Sequence, residues 1–138
     1  MATLAIETVE IFGAGVLEAE GVVIDKEGNA WGGGRNGKVY EVSPEGVVHE
    51  VVQLPDRAIP NGVTLDRAGN FVYCDLRHKA VMRCALDGVV SMVADRAGDL
   101  PLSIPNFASY DAEGNLSERR RLAGEIPVTE CDTAQKGR

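Results

Sequence analysis

A chain of 138 residues with 44% hydrophobic and 25% charged side chains has the composition of one folded domain and excludes a disordered or fibrous polymer. Its net charge of −7 excludes a nucleic-acid surface built on clustered Lys and Arg, and suits either plain acidic solubility or a site that holds a cation. No run approaches the roughly 20 apolar residues of a membrane span, and Glu7 and Glu10 fall where a secretory leader would be apolar. Cys74, Cys84 and Cys131 form no CxxC pair and leave one thiol over, which predicts a reducing, cytoplasmic setting.

In chain order, Ile6–Phe12 is expected as a strand ahead of a repeat. The repeat itself has three copies: Glu20-GVVIDKEGNAW, Asn61-GVTLDRAGNFVY and Asn106-FASYDAEGNL, with starts 41 and 45 residues apart. Periods of about 40–50 residues mark four-stranded propeller blades. In the first unit, Gly21–Ile24, Ala30–Gly33, Lys38–Val42 and Val47–Gln53 read as strands. They are separated by the D-x-x-G-N turn at Asp25, by Asn36-Gly37 and by Ser43-Pro44-Glu45-Gly46. The second unit repeats the plan with Gly62–Leu65, Phe71–Cys74, Ala80–Cys84 and Val89–Ala94. The fold predicted is all-β, an incomplete β-propeller of about two four-stranded antiparallel blades plus the start of a third.

The third unit begins in register but runs into Ser117-Glu118-Arg119-Arg120-Arg121 where the earlier units have apolar strand residues. Residues 1–116 carry 9 basic and 17 acidic side chains, whereas 117–138 carry 5 and 4. We therefore divide the chain into a propeller portion, 1–116, and a tail, 117–138, expected to be irregular and foreign to the fold. A truncated or frame-disrupted product would give such a junction.

The phrases EGVVIDKEGNAWGGGRNGKVYEVSPEG, PNGVTLDRAGNFVYCD and IPNFASYDAEGN resemble the gluconolactonase, senescence-marker-protein and strictosidine-synthase-like family of six-bladed propellers. The likeness runs from about Glu18 to Leu116, well under half of a family domain. It implies a metal-dependent lactone hydrolase, with the divalent cation, Ca2+ or alternatively Zn2+, Mg2+ or Mn2+, in the central channel. It also implies a small-molecule lactone as substrate. The positions matching the family's metal ligands are Glu20 and Asn106, with Asn61 a weaker match that turn capping after Pro60 explains equally well. Carboxylate and carboxamide oxygens are the donors a hard cation prefers. A bound cation would polarise a lactone carbonyl and orient or activate a water. Two departures reduce the activity expected. Phe107 stands where the family usually has Asp, and the family's later Asn and Asp have no counterpart, so the catalytic residues stay unassigned. The competing readings are a non-catalytic propeller binding module and an inactive relative. Open blade edges would also allow self-association.

Other motifs carry less. Gly32 to Lys38 matches G-x-x-x-x-G-K, but Val39 replaces the Ser or Thr of a phosphate loop and a strand, not a helix, follows. Asp25, Asp66 and Asp111 read as turn caps, since the distal Glu and flanking helices of an EF-hand are missing. Trp31 and Tyr73 read as packing residues between blades, and His49 and His78 as surface residues with no acid–nucleophile pair in view.

Overall fold

In each repeat the D-x-x-G-N turn is closed by its own aspartate. Asp25 Oδ1 accepts the backbone N–H of Glu27 and Asn29, and Oδ2 accepts the Asn29 carboxamide at 2.9 Å. Asp66 repeats this with Ala68 and Asn70, and Asp111 binds the Asn115 amide and side chain. The glycine of each turn has a φ between +82° and +90°, a region that costs any residue with a Cβ. These aspartates are turn locks, as read from the sequence. The Asp25 carboxyl is held below its ordinary value, first by the Trp31 indole N–H at 2.8 Å and then by Asn29 and Glu27.

The computed structural model describes residues 6–120 and 132–133. Each turn joins two strands of an antiparallel sheet. The first blade is β1 (Val22–Ile24), β2 (Ala30–Gly33), β3 (Lys38–Val42) and β4 (Val48–Gln53), in that spatial order. The second is β5 (Pro60–Leu65), β6 (Phe71–Asp75), β7 (Ala80–Cys84) and β8 (Val90–Ala94), again in sequence order. A small hairpin, β9 (Arg96–Ala97) with β10 (Leu100–Pro101), leads into a three-stranded third sheet of β11 (Pro105–Tyr110), β12 (Leu116–Arg120) and β13 (Asp132–Thr133). No α-helix occurs among the described residues.

Two expectations are corrected. Ile6–Thr8 is a short 3-10 turn and the residues up to Phe12 form no strand, so Ile6–Phe12 adds nothing to a sheet. Instead, Phe12 and Gly13 lie over the first blade near Gly46 and Val42. The break placed after Leu116 also moves. Ser117–Arg120 continues the third unit, with Ser117 opposite Ser109, Glu118 opposite Ala108 and Arg119 opposite Phe107. The run that looked too charged for a strand alternates: Leu116 and Glu118 are buried while Arg119 is exposed, so extending the strand does not require burying Arg119. Asp132–Thr133 pairs with β12, and the rest of the 117–138 segment lies outside the described residues.

Blades are joined by two apolar cores. Val39 from the first blade meets Val63, Phe71, Tyr73 and Cys84 from the second, with Leu54 and Ala58 from the connection between them. Trp31 packs against this core from the first blade, opposite Val23, and Tyr73 enters it from the second, opposite Val63. Val72, Cys74 and Val81 on the second blade's other face meet Ala108 and Leu116 of the third sheet and Leu102 from the segment leading into it. On the first blade's free face Val22 and Ile24 stay 62% and 59% exposed. Near the axis the contact changes character. A Cβ on Gly21 would sit 2.8 Å from the Asn61 carbonyl oxygen and 2.9 Å from the Val63 nitrogen. A Cβ on Gly62 would collide with the Asn106 carbonyl oxygen and come within 2.6 Å of the Phe107 Cα. Glycine at this repeat position lets backbone pack directly on backbone.

Gly62→Ala is therefore expected to cost about 3 kcal/mol in chemical denaturation, the upper range for overpacking. Gly69→Ala, at φ +82° with nothing within 4 Å of its Cβ, should cost only about 1–2 kcal/mol. Equal costs would place the blade contact elsewhere. Acid titration of the single tryptophan gives a second check. A depressed carboxylate stabilises the fold above its ordinary value of 3.8, and that contribution is lost as pH falls through its lower folded value. Trp31 fluorescence should titrate below pH 3.8, and Asp25→Asn should remove the transition.

Candidate functional site

Antiparallel order places the starts of β1, β5 and β11 at one end of the blade stack, opposite the D-x-x-G-N turns. β5 packs against both β1 and β11, so the three inner strands are neighbours. Glu20 directly precedes Gly21, and Asn61 and Asn106 are the second residues of β5 and β11. The glycine contacts bring Gly21 onto Asn61 and Gly62 onto Asn106, so the three residues selected from sequence sit at corresponding positions on adjoining strands.

Their hydrogen bonding sets two of them apart from the other asparagines. Asn29, Asn70 and Asn115 give their side chains to the turn aspartates, and Asn36 donates to the Tyr40 hydroxyl. Asn61 is 7% exposed and Asn106 half-buried, yet neither carboxamide makes a hydrogen bond among the described residues. Turn capping, the alternative for Asn61, is not what its side chain does. Glu20 is exposed and forms no ion pair among the described residues. One carboxylate and two uncommitted carboxamides are a fitting, though partial, oxygen set for a hard cation. No three His, Cys, Asp or Glu side chains group to hold a metal among the described residues, so any cation here depends on the amides.

Two acidic residues that sequence reading passed over support this end. Asp75, fully buried at the end of β6, pairs across the sheet with Pro60, the neighbour of Asn61. Its Oδ1 accepts the backbone N–H of Ile59 at 3.1 Å and Arg77 at 2.9 Å, and its Oδ2 lies 2.7 Å from His78 Nδ1. His78 thus has an acid partner that the sequence reading did not assign, and the visible signal was an Asp three residues before a His at a strand end. Arg77 Nε donates to the Arg57 carbonyl, so the carboxylate clasps the loop before β5 to the loop after β6. Glu118, 8% exposed, accepts the Asn106 backbone N–H at 3.2 Å. It was missed because its strand had been read as tail. The nearby Cys74 thiol is pushed up to about 12, first by burial and then by the Glu118 charge. Cys74 and Cys84 are free thiols. A cleft of about 190 Å3 lined by Trp31, Val52, Phe71 and Gly88 lies between the blades at the opposite end and is not part of this site.

Four-stranded antiparallel sheets stacked through these inner-strand contacts make this chain an all-β protein of propeller blades, and comparison with solved structures agrees. A gluconolactonase from Xanthomonas campestris matches over 76% of this chain and 35% of its own, at 20% identity and a TM-score of 0.65. A catalytically inactive virginiamycin B lyase from Staphylococcus aureus, solved with quinupristin, matches over 77% and 36%, at 18% identity and a TM-score of 0.63. A Bacteroides thetaiotaomicron protein of unknown function matches over 66% and 29%, at 27% identity and a TM-score of 0.52. The lyase and the gluconolactonase are both β-propellers, and this chain spans about a third of their length. No protein-family model matches the chain, and no curated protein does.

The clasp can be tested directly. Asp75→Ala leaves the amides of Ile59, Arg77 and His78 without their acceptor. It should lower stability by about 3 kcal/mol, because a buried charged acceptor is removed. Amide exchange at Ile59 should rise with it, and unchanged protection there would assign the two loops another tie.

Proposed function

We propose that this chain carries part of a lactone-hydrolase site of the gluconolactonase type, with Glu20, Asn61 and Asn106 as its cation ligands. The observation that carries the reading is the pair of carboxamides, Asn61 and Asn106, that make no hydrogen bond among the described residues and stand on adjoining inner strands beside Glu20. The gluconolactonase among the structural neighbours supports the choice of chemistry. Ca2+ suits the donors best, since it takes carboxylate and carboxamide oxygens in flexible geometry.

Each residue has a distinct role in this reading. Glu20 supplies the negative charge, Asn61 and Asn106 offer neutral carbonyl oxygens, and Gly21 and Gly62 set the strand spacing. Glu118 holds the Asn106 backbone through its N–H. A bound cation supplies Lewis-acid polarisation of a lactone carbonyl. Three side chains fill only part of a shell of six to eight oxygens, so affinity is low. The only carboxylate in the set is committed to the ion, which leaves no proton acceptor among these three residues. A general base typically contributes about 10²–10⁴-fold, so turnover by this chain is slow. Tight binding of a metal-free ligand without turnover would favour the rival reading of a binding module.

Calorimetry with Ca2+ should give a dissociation constant near 1 mM, in the range of weak oxygen sites. Glu20→Gln should weaken it at least about tenfold. Overlapping titrations would remove Glu20 from the site, and rapid Ca2+-dependent hydrolysis of a δ-lactone would overturn the expectation of slow turnover.

A further inference from the structure

We propose that Phe107 is the specificity residue of this site, an apolar wall beside the Asn61 and Asn106 carboxamides that favours a lactone with an alkyl arm over a polyhydroxylated one. The inference rests on the lactone-site reading above, and its substance is the position of this one side chain. The three repeats align Gly21, Gly62 and Phe107, each directly after the residue assigned to the cation. In the first two blades the position is glycine and the next inner strand occupies the space. In the third the space is taken by a phenyl ring. Phe107 Cδ2 lies 2.9 Å from where a Cβ on Gly62 would stand, so the ring edge rests against β5 one residue beyond Asn61, in room that exists only because residue 62 is glycine.

The ring is not absorbed into a core. Ala108 and Leu116 enter the apolar cluster shared with the second blade, whereas Phe107 remains 44% exposed. Its cross-strand neighbour Arg119 is exposed as well. Single exposed apolar residues are common on protein surfaces, so exposure alone would mean nothing. Here the ring rests on Gly62, the residue after Asn61, and directly follows Asn106 in the chain, and neither asparagine's carboxamide makes a hydrogen bond among the described residues. A few convergent polar groups beside an apolar wall are the composition of a small-molecule site. A ligand that gives its carbonyl end to the polar group must lay its remainder toward the ring. An alkyl substituent buries surface there, whereas a ring of hydroxyls would lose water without gaining partners.

Two non-hydrolysable δ-lactams test this on the full 138-residue chain in Ca2+ buffer, one bearing a heptyl chain and one polyhydroxylated. The wild type should bind the heptyl lactam at least about tenfold more tightly, the worth of roughly 50–60 Å² of buried apolar surface. Phe107→Gln should remove about that factor for the heptyl lactam and leave the polyhydroxylated one unchanged, whereas Phe107→Leu should stay within about threefold of wild type. Equal effects on both ligands, no effect, or no binding of the heptyl lactam would each overturn the proposal. If Phe107→Gln fails to fold, the wild-type preference and the Phe107→Leu result still decide it. Ca2+ titrations of Phe107→Gln and Glu20→Gln separate the two readings. Loss of Ca2+ binding only in Glu20→Gln, with no change in lactam preference on replacing Phe107, would sink the wall and spare the cation site. An unaltered Ca2+ titration in Glu20→Gln would sink the cation site and leave the lactam comparison to decide Phe107.

Discussion

Backbone packed on backbone at Gly21 and Gly62 is the contact on which the rest of this molecule depends. It fixes how closely the inner strands approach, and so which residues of successive blades become neighbours. The apolar cores farther out stabilise the stack, but they would tolerate small shifts. Carbonyl oxygens and Cα atoms on a neighbouring strand cannot move aside as a flexible side chain can. Registry at the axis is therefore rigid, and Glu20, Asn61 and Asn106 inherit it because each directly precedes the contact position.

That rigidity is reinforced from the loop side. Asp75 ties the approach to β5 to the loop leaving β6, and Glu118 ties the start of β11 to β12. Both carboxylates are buried; Asp75 bonds the backbone amide of Ile59, two residues before Asn61, and Glu118 bonds that of Asn106 itself. Buried anions are tolerated only when hydrogen-bonded, and here the donors are the loops that need to be held. The D-x-x-G-N turns do a similar job at the other end, with half-buried or exposed aspartates whose loss would loosen one hairpin at a time.

Much of this architecture was legible in the sequence because its signals are local. Alternation and turn chemistry placed the eight strands of the first two blades within a residue or two, and the aspartate, glycine and asparagine of each turn act as their spacing suggests. What could not be read depended on contacts distant in the chain. The Asp75 clasp reaches residue 59, which no turn grammar connects to residue 75. Glu118 was hidden by judging a strand on its charge count and not on its alternation. Ile6–Phe12 alternates well enough to suggest a strand, yet the structure gives it no partner in a sheet. The candidate ligands were found by resemblance, and only the structure distinguished the uncommitted carboxamides of Asn61 and Asn106 from those used in turns.

A size gradient runs outward along the first blade interface. At the inner edge of the first interface stands a glycine, and farther from the axis come Trp31, Phe71 and Tyr73. The first two blades thus meet backbone to backbone at the inner edge and through large side chains farther out. Side-chain volume along this interface sets how the two sheets are spaced, and bulk of uniform size would space them evenly. The close approach of the inner strands thus has one origin, the missing methyl group at the inner edge.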